Sequence, residues 1–193
     1  MSKDIEGQVK QNKTVAIVGA GPSGLCTAKY MVDNGLVPTI FEKEATVGGL
    51  WAKSNDHTAV WDGLRTNVSY YFMAYSDLEY PKNSPIFSGK QELSNYMQMY
   101  RDKFQLEQYI KYNSEVRLCS QLEDKRWMVS YENSGEIKSE IFDCLVMASG
   151  LHENGRIPKC EGQDKFKGRG FKQGRLRLYI ALNYSIFARF DHA

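Results

Sequence analysis

Val15–Leu25 reads VAIVGAGPSGL. A short apolar run ends in glycine, as a buried parallel strand does, and Gly19, Gly21 and Gly24 then follow at G-x-G-x-x-G spacing. Pro22 preorganises the first turn of a helix. Leu25, Ala28, Met31 and Val32 continue at helical spacing, and Gly35 suits the helix stop. A second apolar run, VPTIFE, ends at Glu42. Thr14 to Glu42 therefore reads as one βαβ unit.

That unit predicts a phosphate cradle. Gly19 permits the tight turn, Gly21 lets the backbone approach a pyrophosphate, and Gly24 lets helix and strand pack closely. Ala20, Pro22 and Ser23 complete the turn, and the helix N-terminus offers the phosphates about half a positive charge. Glu42 lies 18 residues after Gly24, where a carboxylate grips a ribose diol and repels a 2′-phosphate. The turn is thus expected to hold FAD or NAD rather than NADP. The next segment favours FAD. A second glycine pair, Gly48-Gly49, comes soon after Glu42. The chain then breaks into long loops where a plain NAD dehydrogenase adds another βαβ unit.

From Asp56 to Ser88 the sequence is rich in Tyr, Asn, Ser and Pro without clear period, and reads as ordered loops and short helices. Between Gln91 and Phe104, the residues Leu93, Tyr96, Met97, Tyr100 and Phe104 mark one helix face. Trp127, Val129 and Tyr131 alternate in a half-solvated strand, and NSG turns it into a hairpin. CLVMASG reads as another buried strand whose small end can approach a nucleotide. The fold class expected is α/β: a Rossmann-like FAD domain with a parallel sheet and an inserted antiparallel meander.

Composition excludes several classes. The 193 residues suit one domain, with 25% charged and 42% hydrophobic residues, and a net charge of +2 argues for neither nucleic-acid nor membrane partners. Residues 1–13 are polar, without the apolar core of a signal peptide, and read as a flexible lead-in. No run approaches a membrane span. Cys26, Cys119, Cys144 and Cys160, like His57, His152 and His192, are scattered, so no metal site is expected and a cytoplasmic protein with reduced thiols is.

At FEKEATVGGLW the sequence resembles the flavin-containing monooxygenases. The resemblance runs from about Thr14 to Phe171. The flavin turn falls on Gly19 to Gly24, the ribose acid on Glu42, and the G-G-L-W loop on Gly48, Gly49, Leu50 and Trp51. LRTNVSYYFMAYSDLEYP is similar to the family segment with an active-site asparagine, which falls on Asn67, beside Thr66. CLVMASG resembles the family's A-T-G strand, with Ala148, Ser149 and Gly150 at its end. Val116 joins these as a further cofactor contact. The resemblance implies FAD and NADPH as cofactors and O2 and a soft nitrogen or sulfur nucleophile as substrates. NADPH supplies a hydride to the flavin, and one oxygen atom of O2 reaches the nucleophile. An asparagine amide at position 67 would donate and accept hydrogen bonds without adding charge. Amine oxidases open similarly, but with G-G-R where this chain has G-G-L.

The resemblance weakens beyond EGQDKFKG. Of the family's F-x-G-x-x-x-H pattern, Phe166 and Gly168 fit, whereas Lys172 stands at the histidine position. Residues 172–193 are expected to lie outside the resemblance and carry Lys172, Arg175, Arg177 and Arg189 against Asp191. A second G-x-G-x-x-G, which would hold NADPH, does not occur in these 193 residues. The domain reading is therefore a lead-in over 1–13, an FAD-binding domain over 14–171, incomplete at its C-terminal end, and a tail over 172–193. A non-enzymatic FAD-binding fragment, one needing a partner chain, or another FAD oxidoreductase are the rival readings. An incomplete sheet would leave TVAIV or a neighbour as an apolar edge open to self-association.

Overall fold

A computed structural model describes residues 12–52, 60 and 63–150. Most of the lead-in, Cys160, His57, His152, His192, the Phe166–Gly168–Lys172 pattern and the whole tail lie outside these residues. The chain divides into two units, Met1–Val47 with Tyr100–Ser149, and Gly48–Met99 with Gly150–Ala193.

The first unit holds the expected βαβ. β1 (Thr14–Val18) leads through the glycine turn into α1 (Pro22–Asp33), which returns the chain to β2 (Val37–Phe41). Gly21 caps α1 with extended backbone, and Pro22 takes the first helical position. The helix ends in paired bonds: Gly35 N–H donates to Val32 O at 2.9 Å and Leu36 N–H to Met31 O at 2.9 Å, with Gly35 at φ +72°.

The chain returns as β3 (Ile110–Lys111), β4 (Ser114–Gln121), β5 (Trp127–Asn133), β6 (Glu136–Phe142) and β7 (Cys144–Met147). A parallel sheet has the order β3-β2-β1-β7, and β4-β5-β6 form an antiparallel meander. The β5–β6 turn is Ser134-Gly135, both at positive φ (54° and 81°), the two-residue turn whose twist matches a hairpin. Phe41, Ala16, Val129, Tyr131 and Phe142 form a core between strands of the two sheets. Phe41 meets Tyr131 at 4.8 Å and the edge of Phe142 at 5.8 Å between ring centroids.

One expectation changes here. β7 is not a buried strand: Cys144 and Met147 are exposed and Leu145 and Val146 half-buried, because β7 is flanked on one side only among the described residues. Of the two edges expected, TVAIV is not one, since β1 pairs with β2 on one side and β7 on the other, whereas its neighbour β7 is one among the described residues.

The second unit carries a short 3-10 turn (Gly49–Trp51), the single-turn α2 (Tyr70–Met73), and most of α3 (Lys90–Lys103). Leu93, Tyr96 and Met97 of α3 are buried as their spacing predicts. The aperiodic tyrosines before α3 are packing elements. Tyr80 stacks on Tyr96 at 4.0 Å and on Tyr70 at 5.1 Å. Tyr96 Oη donates to Leu78 O and accepts the Tyr75 N–H at 2.9 Å. The loop is pinned at its base, where Thr66 N–H donates to Ser88 O and Tyr70 N–H to Ile86 O, each at 2.9 Å.

Candidate cofactor site

In the first unit, three strand ends converge on the glycine turn. Gly19 N–H donates to Phe41 O at 2.8 Å on the β2 side, while Ala148 N–H donates to Val18 O at 2.9 Å on the β7 side. Gly19 has φ +100°, and a Cβ on it would stand 2.6 Å from the Ala148 carbonyl oxygen. Both the conformation and the room demand glycine. A Cβ on Gly24 would stand 1.9 Å from the Gly19 carbonyl oxygen, so helix and turn are in backbone contact there.

Glu42 follows β2 and is 4% exposed. Its Oε2 accepts the Ala20 N–H at 2.7 Å and its Oε1 the Glu44 N–H at 2.9 Å. Burial pushes the carboxyl above its ordinary value, and these two N–H groups work against that rise. Each carboxylate oxygen retains acceptor capacity beyond its one N–H, as a ribose diol requires. The glycine turn and this carboxylate thus suit the pyrophosphate and ribose of a dinucleotide. Of the other expected contacts in this unit, Val116 packs against the core at its β4 position, Ala148 is half-buried beside Gly19, and Ser23 and Ser149 are exposed.

In the second unit, Gly48 has φ +125° and starts the turn that carries Gly49, Leu50 and Trp51, all half-buried. Thr66 is buried, and its Oγ1 has no hydrogen-bond partner among the described residues, which leaves a donor and an acceptor to be met. Asn67 is exposed, as is Gly150. Among the described residues, no group of three or more His, Cys, Asp or Glu side chains is placed to hold a metal ion, and no helix is long and apolar enough to cross a membrane.

The profile of the flavin-binding monooxygenase-like proteins matches residues 12–178. The chain belongs to that family. Human flavin-containing monooxygenase 2 is 34% identical over 169 residues, which are 82% of this chain and 32% of that protein. A 4-hydroxybenzoate brominase (decarboxylating) of Pseudoalteromonas luteoviolacea is 34% identical over 157 residues, 81% of this chain and 30% of its own. Among solved structures, S-allyl-L-cysteine S-oxygenase from Allium sativum superimposes with a TM-score of 0.78 at 24% identity, over 86% of this chain and 43% of that one. An oxidized steroid monooxygenase bound to NADP superimposes with a TM-score of 0.64 at 27% identity, over 82% and 30%. The chain thus spans about a third of the curated relatives it matches. FAD and NADPH are the family's cofactors, and the fold described above, a parallel sheet with an antiparallel meander, is that of these flavin monooxygenases.

Several features of the site were out of reach of sequence reasoning. The bond from Ala20 to Glu42 and the approach of Gly19 to Ala148 join residues far apart in the chain. The glycines themselves were the available signal.

Proposed function

We propose that this chain forms the FAD-binding part of a flavin-dependent monooxygenase, one that uses NADPH and O2 to oxygenate soft nitrogen or sulfur nucleophiles. The observation that carries the reading is the Glu42 carboxylate, buried at the end of β2 and tied to the glycine turn through the Ala20 N–H. In this reading Gly19, Ala20, Gly21, Pro22, Ser23 and Gly24 cradle the pyrophosphate, and Glu42 holds the ribose. Val116, Ala148, Ser149 and Gly150 border the nucleotide, while Gly49, Leu50, Trp51, Thr66 and Asn67 serve the flavin end. The bound flavin would supply hydride acceptance and oxygen transfer. The chain would position it, exclude water and offer the uncharged amide of Asn67. A cytoplasmic location is part of the proposal, supported by the free thiols of Cys26, Cys119 and Cys144.

A second reading concerns the 193 residues taken alone: they bind FAD without oxidising NADPH. The single G-x-G-x-x-G favours it, since hydride transfer needs a second surface to hold the nicotinamide against the flavin.

Titration of the purified chain with FAD, followed by flavin fluorescence, tests the first reading. Glu42→Ala removes a charge-assisted bond worth roughly 1.5–3 kcal/mol, or about one to two decades in affinity. Unchanged binding would remove Glu42 from the site. Nicotinamide oxidation by the same chain with FAD and NADPH tests the second. A steady rate above that of free FAD, abolished by Gly21→Val, would overturn it.

A further inference from the structure

Lys111 of β3 links the meander to the end of β2, beside the proposed nucleotide site. Lys111 pairs with Phe41 in the parallel sheet, and its carbonyl oxygen accepts the Glu42 N–H at 2.9 Å. Its ammonium reaches across to β6, where Nζ donates to Glu140 Oε1 at 2.5 Å and Oε2 at 2.7 Å. Glu140 also accepts from the Tyr131 hydroxyl of β5. The Tyr131 ring packs on Phe41, and the Lys111 ammonium lies 5.5 Å and 5.6 Å from the Phe41 and Tyr131 ring centroids. The residue before Glu42 is therefore bracketed by an ion pair and two aromatic contacts. Glu42 itself has both peptide groups engaged, its carbonyl accepting the Ser114 N–H at 2.8 Å.

A strand of two residues has little pairing of its own to hold it. Lys111 and Glu140 are each more than a third exposed, so their pair contributes little to global stability. What the arrangement does supply is a fixed position for the end of β2, and a binding carboxylate must be held to a fraction of an ångström to be effective.

We infer that Lys111, Glu140 and Tyr131 are positioning residues for the nucleotide site, setting from the meander side where the Glu42 carboxylate stands. The inference rests on the reading of Glu42 as the ribose ligand. Burial acts to raise the Glu140 carboxyl, but the bonds from Lys111 and Tyr131 outweigh it and hold the group below its ordinary value, so the anchor is charged near neutrality.

The test is a double-mutant cycle on the full chain, with FAD and ADP titrated well below the unfolding temperature and the folded fraction checked by circular dichroism. Lys111→Met is expected to weaken FAD about tenfold, within the coupling seen between residues that share one network. ADP, which carries the ribose and diphosphate without the flavin, loses the same factor. Lys111→Arg restores affinity. In a Glu42→Ala background, Lys111→Met changes the affinity by less than about twofold, because the group it positions is gone. Glu140→Gln, which keeps side-chain volume, gives the same pattern should Lys111→Met fail to fold. Unchanged affinity, or an equal loss with and without Glu42, overturns the inference. If the parent chain binds no FAD, or Glu42→Ala alone has no effect, the assignment of the site has failed and takes the inference with it.

Discussion

The Ala20 N–H meets Glu42 Oε2 at 2.7 Å across 22 residues of chain, so the glycine turn and the end of β2 form one hydrogen-bonded body. Ala20 is buried in the turn just before the Gly21 cap, where its N–H needs a partner. Here a buried carboxylate satisfies it, and the same carboxylate is the group proposed to take the ribose. Neither end moves without the other.

That coupling gives a pH dependence with two signs. The folded-state value of Glu42 is raised, chiefly by burial, above that of the unfolded chain. Between the two values the folded protein binds more protons than the unfolded one. The stability this group contributes is therefore fully present at low pH and is lost as pH rises through its folded value. FAD affinity runs the other way, because the ribose hydroxyls donate to the ionised form. Denaturant unfolding and FAD titration between about pH 4 and pH 7 should show the opposed slopes, and Glu42→Gln should flatten both.

Two glycine substitutions separate packing from backbone conformation. Gly24→Ala puts a Cβ 1.9 Å from the Gly19 carbonyl oxygen, a collision with backbone rather than with a movable side chain. Gly35→Ala meets nothing within 4 Å and strains only the φ of +72°. Gly35→Ala should cost about 1–2 kcal/mol. Gly24→Ala should match or exceed the roughly 1–3 kcal/mol of an overpacked core and should also weaken FAD. Equal losses of stability, with FAD affinity kept, would show that the turn relaxes freely.

Tyr96→Phe removes one hydroxyl that serves two backbone groups, the Leu78 carbonyl and the Tyr75 N–H. The ring stack with Tyr80 persists. Leaving buried partners unsatisfied costs about 1–3 kcal/mol, so the unfolding midpoint should fall while FAD affinity at low temperature holds.

Asn67 is exposed, and replacing it should move stability by no more than about 0.5 kcal/mol. In a chain fused to the remaining two-thirds of a family member, Asn67→Asp should retain flavin yet lower substrate oxygenation, since a carboxylate repels the negative charge that develops during oxygen transfer. Product formation equal to that of the parent would take Asn67 out of the active site.

The βαβ unit was legible because its signals are local: apolar periodicity, Pro22 at the helix start, Gly35 at its stop. The hairpin was legible for the same reason, with Ser134-Gly135 between alternating strands. What stayed hidden depends on partners distant in sequence. Two residues of β3 carry no period, yet Lys111 closes the sheet beside Phe41. The register shift between Val116 and Leu118 has no glycine or proline to announce it. The tyrosines before α3 lack a period because they stack on one another across a folded loop instead of lining one face of a regular element. β7 looked buried from its composition, and its exposure reflects its place in the strand order, which composition does not encode.

The contact of Gly19 with Ala148 also orders events in time. The turn is written near the start of the chain, but the strand end that walls it is made 129 residues later, the separation that Thr14 and Asp143 span in their hydrogen bond. At roughly 5–20 residues per second, synthesis of that interval takes about 6–26 s. During it β1 has only β2 to pair with, and the other side of the central strand lies bare. The nascent chain therefore carries its flavin turn half-walled while the meander is still being made. Chaperone capture or early flavin binding would act in that interval, and rare codons between 19 and 148 would lengthen it.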